Sequence, residues 1–224
     1  MRDHLIIKLQ GVMQAWGEHT FEGIRPSANF PTRSALIGLL GACLGIKRSD
    51  RESQQALADS FLYAVRHDSR SYQTIKLTDY HTVKDARAEY AGLKSHDTIQ
   101  TWREYLYDAT FTLAIWNTDN AHYSLDAIQA AVQKPVYTPF LGRRSCPLTR
   151  PLFEDRVTAV NALEALDLVS QDDGLIYSEE ELSLFPGRNH QRHRVRDIPL
   201  IRQPRQFASR MINVYGKRKP DVSD

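Results

Sequence analysis

The spacing of apolar positions predicts a chain that alternates between strands and helices. His4 to Leu9 is a short run of branched apolar side chains closed by Gly11, and it reads as a buried first strand. From Gly11-Val12-Met13-Gln14-Ala15-Trp16-Gly17 through Phe21 to Pro31 the periodicity disappears, and irregular segments of this length in compact domains are usually functional or face a partner. Pro31-Thr32 then supplies a helix start. Leu36, Leu39, Leu40, Cys43 and Leu44 recur at helical spacing over Ser34 to Gly45, which predicts a core helix. Gly38, Gly41 and Gly45 weaken its propensity, so they are expected to permit close packing against a sheet or to end the helix. Glu52 to Ser60 predicts a second, polar helix, and Phe61 to Arg66 a second strand.

Asp68 to Thr78 shows little pattern beyond short hairpin pieces, and Asp79 to Glu104 is polar with few aliphatics, too few to build a core of its own. Asp108 to Trp116 is the clearest strand in the chain. Ser124 caps an amphipathic helix with Leu125, Ile128, Ala131 and Val132 on one face, ending at Pro135, and Cys146 to Leu152 is expected to form another strand. The resulting order of strand, helix, strand, insertion, strand, helix, strand is that of an α+β, ferredoxin-like βαββαβ unit. RNA-recognition domains use the same RRM-like plan. The expected division is a domain over 1–152 with its insertion at about 79–104, a smaller β-rich region over 153–215 and a flexible tail at 216–224. Within the second region Val160 to Leu168 predicts a helix, and Leu175 to Ser178, Arg192 to Ile198 and Gln206 to Tyr215 predict strands.

Charge adds an asymmetry. Twenty-nine Lys and Arg against 27 Asp and Glu give a net charge of +2, too mild to require a nucleic-acid partner unless the basic groups cluster. They do cluster: Arg188, Arg192, Arg194, Arg196, Arg202, Arg205 and Arg210 crowd the C-terminal end, and alternate arginines at 192, 194 and 196 would share a strand face. Cys43 and Cys146 lie far apart with no CxxC pairing, which indicates neither a disulfide framework nor a zinc site and fits a reduced, cytoplasmic compartment. Residues 1 to 12 lack the apolar core of a signal peptide, and Ala35 to Ile46 is too short and glycine-rich to span a bilayer, so no membrane partner is expected.

The candidate chemistry is that of binding. Tyr137 to Pro147 is a turn bounded by prolines in which Arg143 and Arg144 follow Gly142 directly. Glycine lets a backbone approach a ligand and arginine pairs bidentately with phosphate, so the turn reads either as a phosphate clamp or as a solvated surface loop. Arg33 in the first turn of a helix runs against the macrodipole, and a bound anion would give it a reason. The insertion carries His81, Lys84, Arg87, Tyr90, Lys94, His96, Trp102 and Arg103. Rings that stack on bases and cations that meet phosphates suit an element reaching over RNA, and a flexible surface excursion accounts for them equally well. Lys94 with His96, or Tyr80 with His81, could serve a metal-independent ribonuclease, although both pairs fall where side chains are held least rigidly. His190 and His193 lack a third ligand at metal spacing, and no phosphate-binding or nucleophile motif occurs, so no cofactor or metal is expected.

Several blocks together carry a resemblance. They are Gln14-Ala15-Trp16-Gly17, Phe30-Pro31-Thr32-Arg33-Ser34 running into Gly38-Leu39-Leu40-Gly41, Asp79-Tyr80-His81-Thr82-Val83, Thr101-Trp102-Arg103-Glu104-Tyr105-Leu106, the Gly142 loop, and Pro204-Arg205-Gln206-Phe207-Ala208-Ser209-Arg210. In this order the chain resembles the CasD family of type I-E CRISPR Cascade subunits, of the RAMP superfamily, which hold the 5′ handle of the guide RNA. Val12 departs from it, where proline would be expected after the glycine, and Asp155 to His193 matches least well. The resemblance implies that the 79–104 insertion is a thumb closing over the crRNA beside its 5′ handle. It also implies a hetero-oligomeric complex with CasC backbone subunits and the large CasA subunit, and a guide cut by a separate endonuclease, CasE. The binding residues it implies are Arg25, Arg33, Ser34, Lys94, His96, Thr101, Trp102, Arg103, Arg143, Arg144, Ser145 and Arg205. Trp102 could instead anchor a protein neighbour. Two other readings remain at this point, an endoribonuclease that processes repeat RNA and a structural wedge between protein subunits.

Overall fold

A computed structural model of the chain describes residues 1–68, 75–84, 98–181, 188–201 and 206–217. The first strand, β1 (Arg2–Gln10), is followed by four two-residue strands, β2 (Met13–Gln14), β3 (Trp16–Gly17), β4 (Ile24–Arg25) and β5 (Ser27–Ala28). Helices α1 (Arg33–Leu44) and α2 (Arg51–Ser60) lead into β6 (Phe61–His67). The strands β7 (Ile75–Lys84), β8 (Thr98–Tyr107) and β9 (Thr110–Asn117) precede α3 (Leu125–Gln133). Then come β10 (Phe153–Ala159), α4 (Ala162–Val169), β11 (Leu175–Ser178), β12 (Arg188–Leu200) and β13 (Gln206–Lys217).

The main sheet has seven strands in the order β10-β1-β9-β6-β11-β13-β12, and every neighbouring pair is antiparallel. Both its faces are covered. Leu5, Ile7 and Leu9 of β1 pack with Leu36 and Leu40 of α1 and Ile128 and Val132 of α3. Ile6, Ala114, Trp116 and Tyr215 pack on the other face with Leu163 and Leu166 of α4. Coverage on both faces is why β1 and β9 read as continuous apolar runs and do not alternate.

Local chemistry sets the helix ends. Ser124 accepts from the Ala127 N–H and Asn161 from the Glu164 N–H, and Gly45 ends α1 in the left-handed conformation at φ 77°. Thr32 makes no side-chain cap on α1. The Arg33 N–H donates instead to Asp197 Oδ2, 2.8 Å away on β12.

The structure corrects four expectations. The strand placed at Cys146 to Leu152 forms later, as β10 over Phe153–Ala159, and it lies against β1 at the edge of the sheet. The strands beyond it do not make a sheet of their own, since β11 joins β6 and continues the same sheet through β13 to β12. Finally, the segment without pattern contains two ten-residue strands, β7 and β8, paired from Ile75↔Tyr107 to Lys84↔Thr98. They belong to a second sheet, where β8 is flanked on its far side by β2 and β4. Gly216 and Lys217, placed in a tail, continue β13, while 218–224 lie outside the described residues. Among the described residues no helix is long and apolar enough to cross a membrane.

Candidate nucleic-acid interface

The Gly142 loop is built to be rigid. Phe140 bridges Pro147 across it, Leu141 N–H donates to the Cys146 carbonyl at 2.8 Å, and Cys146 N–H donates to the Arg143 carbonyl at 2.8 Å. Leu141 and Cys146 are fully buried and pin it to the core. Gly142 adopts φ 86°, and a Cβ there would stand 1.8 Å from the Ala15 carbonyl oxygen, so the loop closes on the Gln14-Ala15-Trp16 segment only with glycine. The two arginines then part. Arg143 turns inward, donating to the carbonyls of Glu104 (2.9 Å) and Arg25 (3.0 Å) with its guanidinium 4.6 Å from the centre of the Tyr105 ring. Arg144 and Ser145 are exposed, and among the described residues Arg144 has no carboxylate partner.

Arg33 does meet an anion, but an internal one. Its Nη1 lies 2.5 Å from both Glu179 oxygens, and its Nη2 donates to the Ala58 and Phe61 carbonyls. Arg210 completes the cluster, donating to Glu179 Oε1 (2.7 Å), to both Asp197 oxygens (2.6 and 2.8 Å) and to the Tyr63 hydroxyl (2.7 Å). All four charged side chains are nearly buried. Two guanidiniums against two carboxylates, each oxygen bonded, neutralise the helix start that sequence had assigned to an external ligand. Arg33 is therefore a structural residue, and its charge is not available to a phosphate. Burial pushes the Tyr63 phenol up and keeps it protonated within this cluster.

The hairpin distributes its residues over two faces, because alternate side chains of a strand point opposite ways. Tyr80 and Trp102 are cross-strand partners on one face, their ring centres 5.4 Å apart, and both are about half exposed. Thr101 and Arg103 lie on the other, where Arg103 Nε donates to Thr101 Oγ1 at 3.0 Å. Thr101 is buried, and Arg103 is half-buried. On the flank, Trp102 N–H donates to the Gly23 carbonyl at 3.0 Å and Arg25 pairs in register with Arg103. The Arg25 guanidinium turns back to the Glu22 and Ile24 carbonyls.

Tyr80 and His81 point to opposite faces, with His81 Nε2 hydrogen-bonded to Asp79 Oδ2, so the hairpin does not bring that acid–base pair together. Lys94, His96 and Arg205 lie outside the described residues. His190 stacks on Tyr215 at 4.9 Å and bonds Asn213, whereas His193 bonds Gln191, so the two rings do not converge. Among the described residues no group of three His, Cys, Asp or Glu could hold a metal. Ser34 and Gly142, from distant parts of the chain, line the same open cavity beside α1. Sequence reasoning missed Glu179 and Asp197 altogether, and the one available signal was an acidic run, Glu179-Glu180-Glu181, directly after a strand.

Known proteins share this architecture. The family described as CRISPR-associated protein (Cas_Cas5) matches residues 4 to 215. The "CRISPR system Cascade subunit CasD" of Escherichia coli (strain K12) is 54% identical over 215 residues, 94% of each chain. A chain of a solved "CRISPR RNA-guided surveillance complex" superposes with a TM-score of 0.73 at 26% identity, over 97% of this chain and 91% of that one. A second, solved as "Crystal structure of Cas protein", gives 0.63 at 25% identity over 96% and 95%. Matched by the family over nearly its whole length and by a relative at more than half identity, the chain belongs to the Cas5 family of CRISPR-associated proteins.

Proposed function

We propose that this chain is a non-catalytic RNA-binding subunit of a Cascade-type surveillance complex, gripping the 5′ handle of the guide crRNA and capping a backbone of CasC subunits, with CasA as a further neighbour. The observation that carries the reading is the 54% identity, over 94% of both chains, to a protein named as Cascade subunit CasD. The order β10-β1-β9-β6, with α1 and α2 between β1 and β6 and α3 between β9 and β10, fits a ferredoxin-like, RRM-like unit. The β7–β8 hairpin stands as its thumb, and β11 to β13 extend the unit toward the C-terminus.

Three features favour binding over chemistry. The Arg143 bonds hold the loop against the foot of the hairpin, which fixes where exposed Arg144 and Ser145 present a cation and a hydroxyl. The Tyr80–Trp102 pair offers exposed rings on which bases stack. The candidate acid–base residues within the described hairpin diverge and do not meet.

Co-expression with the genomic neighbours tests this reading. The purified assembly should contain the chain and a short RNA with one defined 5′ end, and ultraviolet crosslinking should place adducts on this subunit. Incubation of the isolated chain with labelled repeat RNA in EDTA should leave the RNA intact. A discrete cleavage product would instead establish the endoribonuclease, and an assembly without RNA adducts on this chain would establish the structural wedge.

A further inference from the structure

The main sheet has two edges, and their charges are handled differently. At one end β10 is 7 residues long and its charges are matched internally, Glu154 with Arg150 and Arg156 with Asp3 and Asp126. At the other end β12 runs for 13 residues, and among the described residues only β13 lies beside it. The ladder to β13 is unbroken from Arg188↔Lys217 to Val195↔Arg210, and the register shifts only beyond Val195. The outer backbone of this stretch is therefore regular, and among the described residues no strand meets its N–H and C=O groups. Arg192 and Arg194 stand on one face of it, cross-strand from Asn213 and Met211, and both are exposed. Neither makes an ion pair or a side-chain hydrogen bond within the described residues. Arg196, past the register shift, differs, since its Nε donates to the Phe207 carbonyl at 3.0 Å.

We propose that the outer edge of β12 receives an extended acidic segment of a partner protein as a further strand of the sheet, with carboxylates at alternate positions facing Arg192 and Arg194. A free row of backbone donors and acceptors is satisfied by another strand and not by a nucleic acid, which has no matching row of amides. The two arginines repeat at the period of a strand. One face of the incoming segment therefore sets its acids directly opposite them, the arrangement in which cross-strand charge pairs stabilise. Charge on an edge ordinarily deters pairing, but here the deterrent has one sign, so it admits an acidic strand. A second copy of this chain is disfavoured by the same rule, since pairing β12 with itself would set one arginine row against the other. The face also lacks an exposed Tyr or Trp like those of the hairpin. Met211 is its exposed apolar neighbour, and the buried Tyr215 ring is stacked on His190. The proposal stands apart from the RNA reading and uses none of its residues.

The probe is a fluorescein-labelled peptide of alternating glutamate and threonine, matched in length to the Arg188 to Val195 ladder and titrated into the purified chain by fluorescence anisotropy. Binding should saturate and weaken with salt. Affinity should drop about tenfold in the Arg192→Glu/Arg194→Glu variant, whose exposed substitutions should leave the melting temperature parental. Two N-methylated versions of the peptide, one at the glutamates and one at the threonines, keep every carboxylate. Alternate amides of a strand point to opposite sides, so one set of methyl groups must face β12, and that version alone should fail to bind. Equal behaviour of the two versions would mean a charge patch without strand addition and would overturn the proposal. Absence of binding between the glutamate peptide and the parent chain would do the same. A random-sequence DNA duplex that displaces the peptide and is itself lost in the double variant would assign the ribbon to nucleic acid instead. Repeat RNA separates the two readings of the chain: the double variant should keep parental affinity for it while Arg144→Glu loses affinity. If the double variant also loses the RNA, the arginines serve RNA and the acidic strand is rejected.

Discussion

Arg143 reaches out of its own loop and donates from Nη1 to the Glu104 carbonyl, 2.9 Å away in β8. A second bond to the Arg25 carbonyl and the Tyr105 ring beneath the guanidinium make it a clasp between the loop and the hairpin. Its neighbour Arg144 remains exposed, so two adjacent arginines are given opposite assignments. Arg143→Ala should cost about 2 kcal/mol of stability, since it removes two charged hydrogen bonds and a cation–π contact at a half-buried site. Arg144→Ala should melt with the parent chain but bind RNA more weakly, lowering the salt slope by about 0.7 for each phosphate it no longer neutralises. Thermal denaturation and an RNA titration over a potassium chloride series separate the two, and identical behaviour of both variants would remove the division of labour.

The Arg33–Glu179–Arg210–Asp197 cluster joins α1, the end of β11 and both C-terminal strands. Removing one member leaves an uncompensated buried charge, which is the costly case. Arg210→Ala should therefore lose about 3 to 5 kcal/mol, and Arg33→Ala a comparable amount. Arg210→Lys should recover only part, since a single ammonium cannot reproduce the fork that bonds Glu179, Asp197 and Tyr63 at once. Urea denaturation measures this. A loss under about 1 kcal/mol in Arg210→Ala would mean that apolar packing alone holds the C-terminal strands to α1.

The same cluster marks where sequence stops being legible. Helix α3 and strand β11 were readable because each carries its signal locally, a Ser124 cap with an apolar face in one and a short apolar run in the other. Strand β10 was not, because Phe153-Glu154-Asp155-Arg156-Val157-Thr158-Ala159 is largely polar and only part of its inner face is apolar. The hairpin was hidden for a related reason. It is solvated on much of both faces, so β7 and β8 have no buried period to betray them. For the site, the Gly142 turn was visible as chemistry, but which of its arginines faces outward depends on Glu104 and Arg25, far away in sequence. Arg33 shows the same limit, since its anion comes from residues 146 and 164 positions later.

His4 gives the fold a definite response to acid. It is fully buried on β1, its ring 5.6 Å from that of Trp116, and burial together with the Arg2 guanidinium holds its pKa down to about 4 against an ordinary 6.5. Burial lowers His67 in the same direction. Below pH 6.5 the unfolded chain takes up a proton that the folded chain refuses, so stability is complete above that pH and falls as pH drops toward 4. At about 1.4 kcal/mol per unit, the His4 contribution to this loss is at most about 3.5 kcal/mol. Urea midpoints should fall between pH 7 and pH 5, and His4→Phe should flatten that fall while leaving the His67 share. A midpoint independent of pH in the parent chain over this window would show that His4 protonates in place.

Trp102 offers a direct optical test of the hairpin. Trp16 and Trp116 are 0% and 1% exposed, whereas Trp102 is 44% exposed, so acrylamide quenching of the tryptophan emission reports mainly on the hairpin. If bases stack on the Tyr80–Trp102 face, RNA should shield this fluorophore and reduce the quenching. The reduction should vanish in Trp102→Phe. Trp102→Ala should melt close to the parent chain, because the ring contributes little to either core, yet lose about 1 to 3 kcal/mol of RNA binding. The protein-anchor alternative predicts another order of events: RNA alone would leave the quenching unchanged, and shielding would come only when the neighbouring subunits are added. Titrating the RNA first and the subunits second therefore assigns the exposed ring to one partner or the other from a single set of curves.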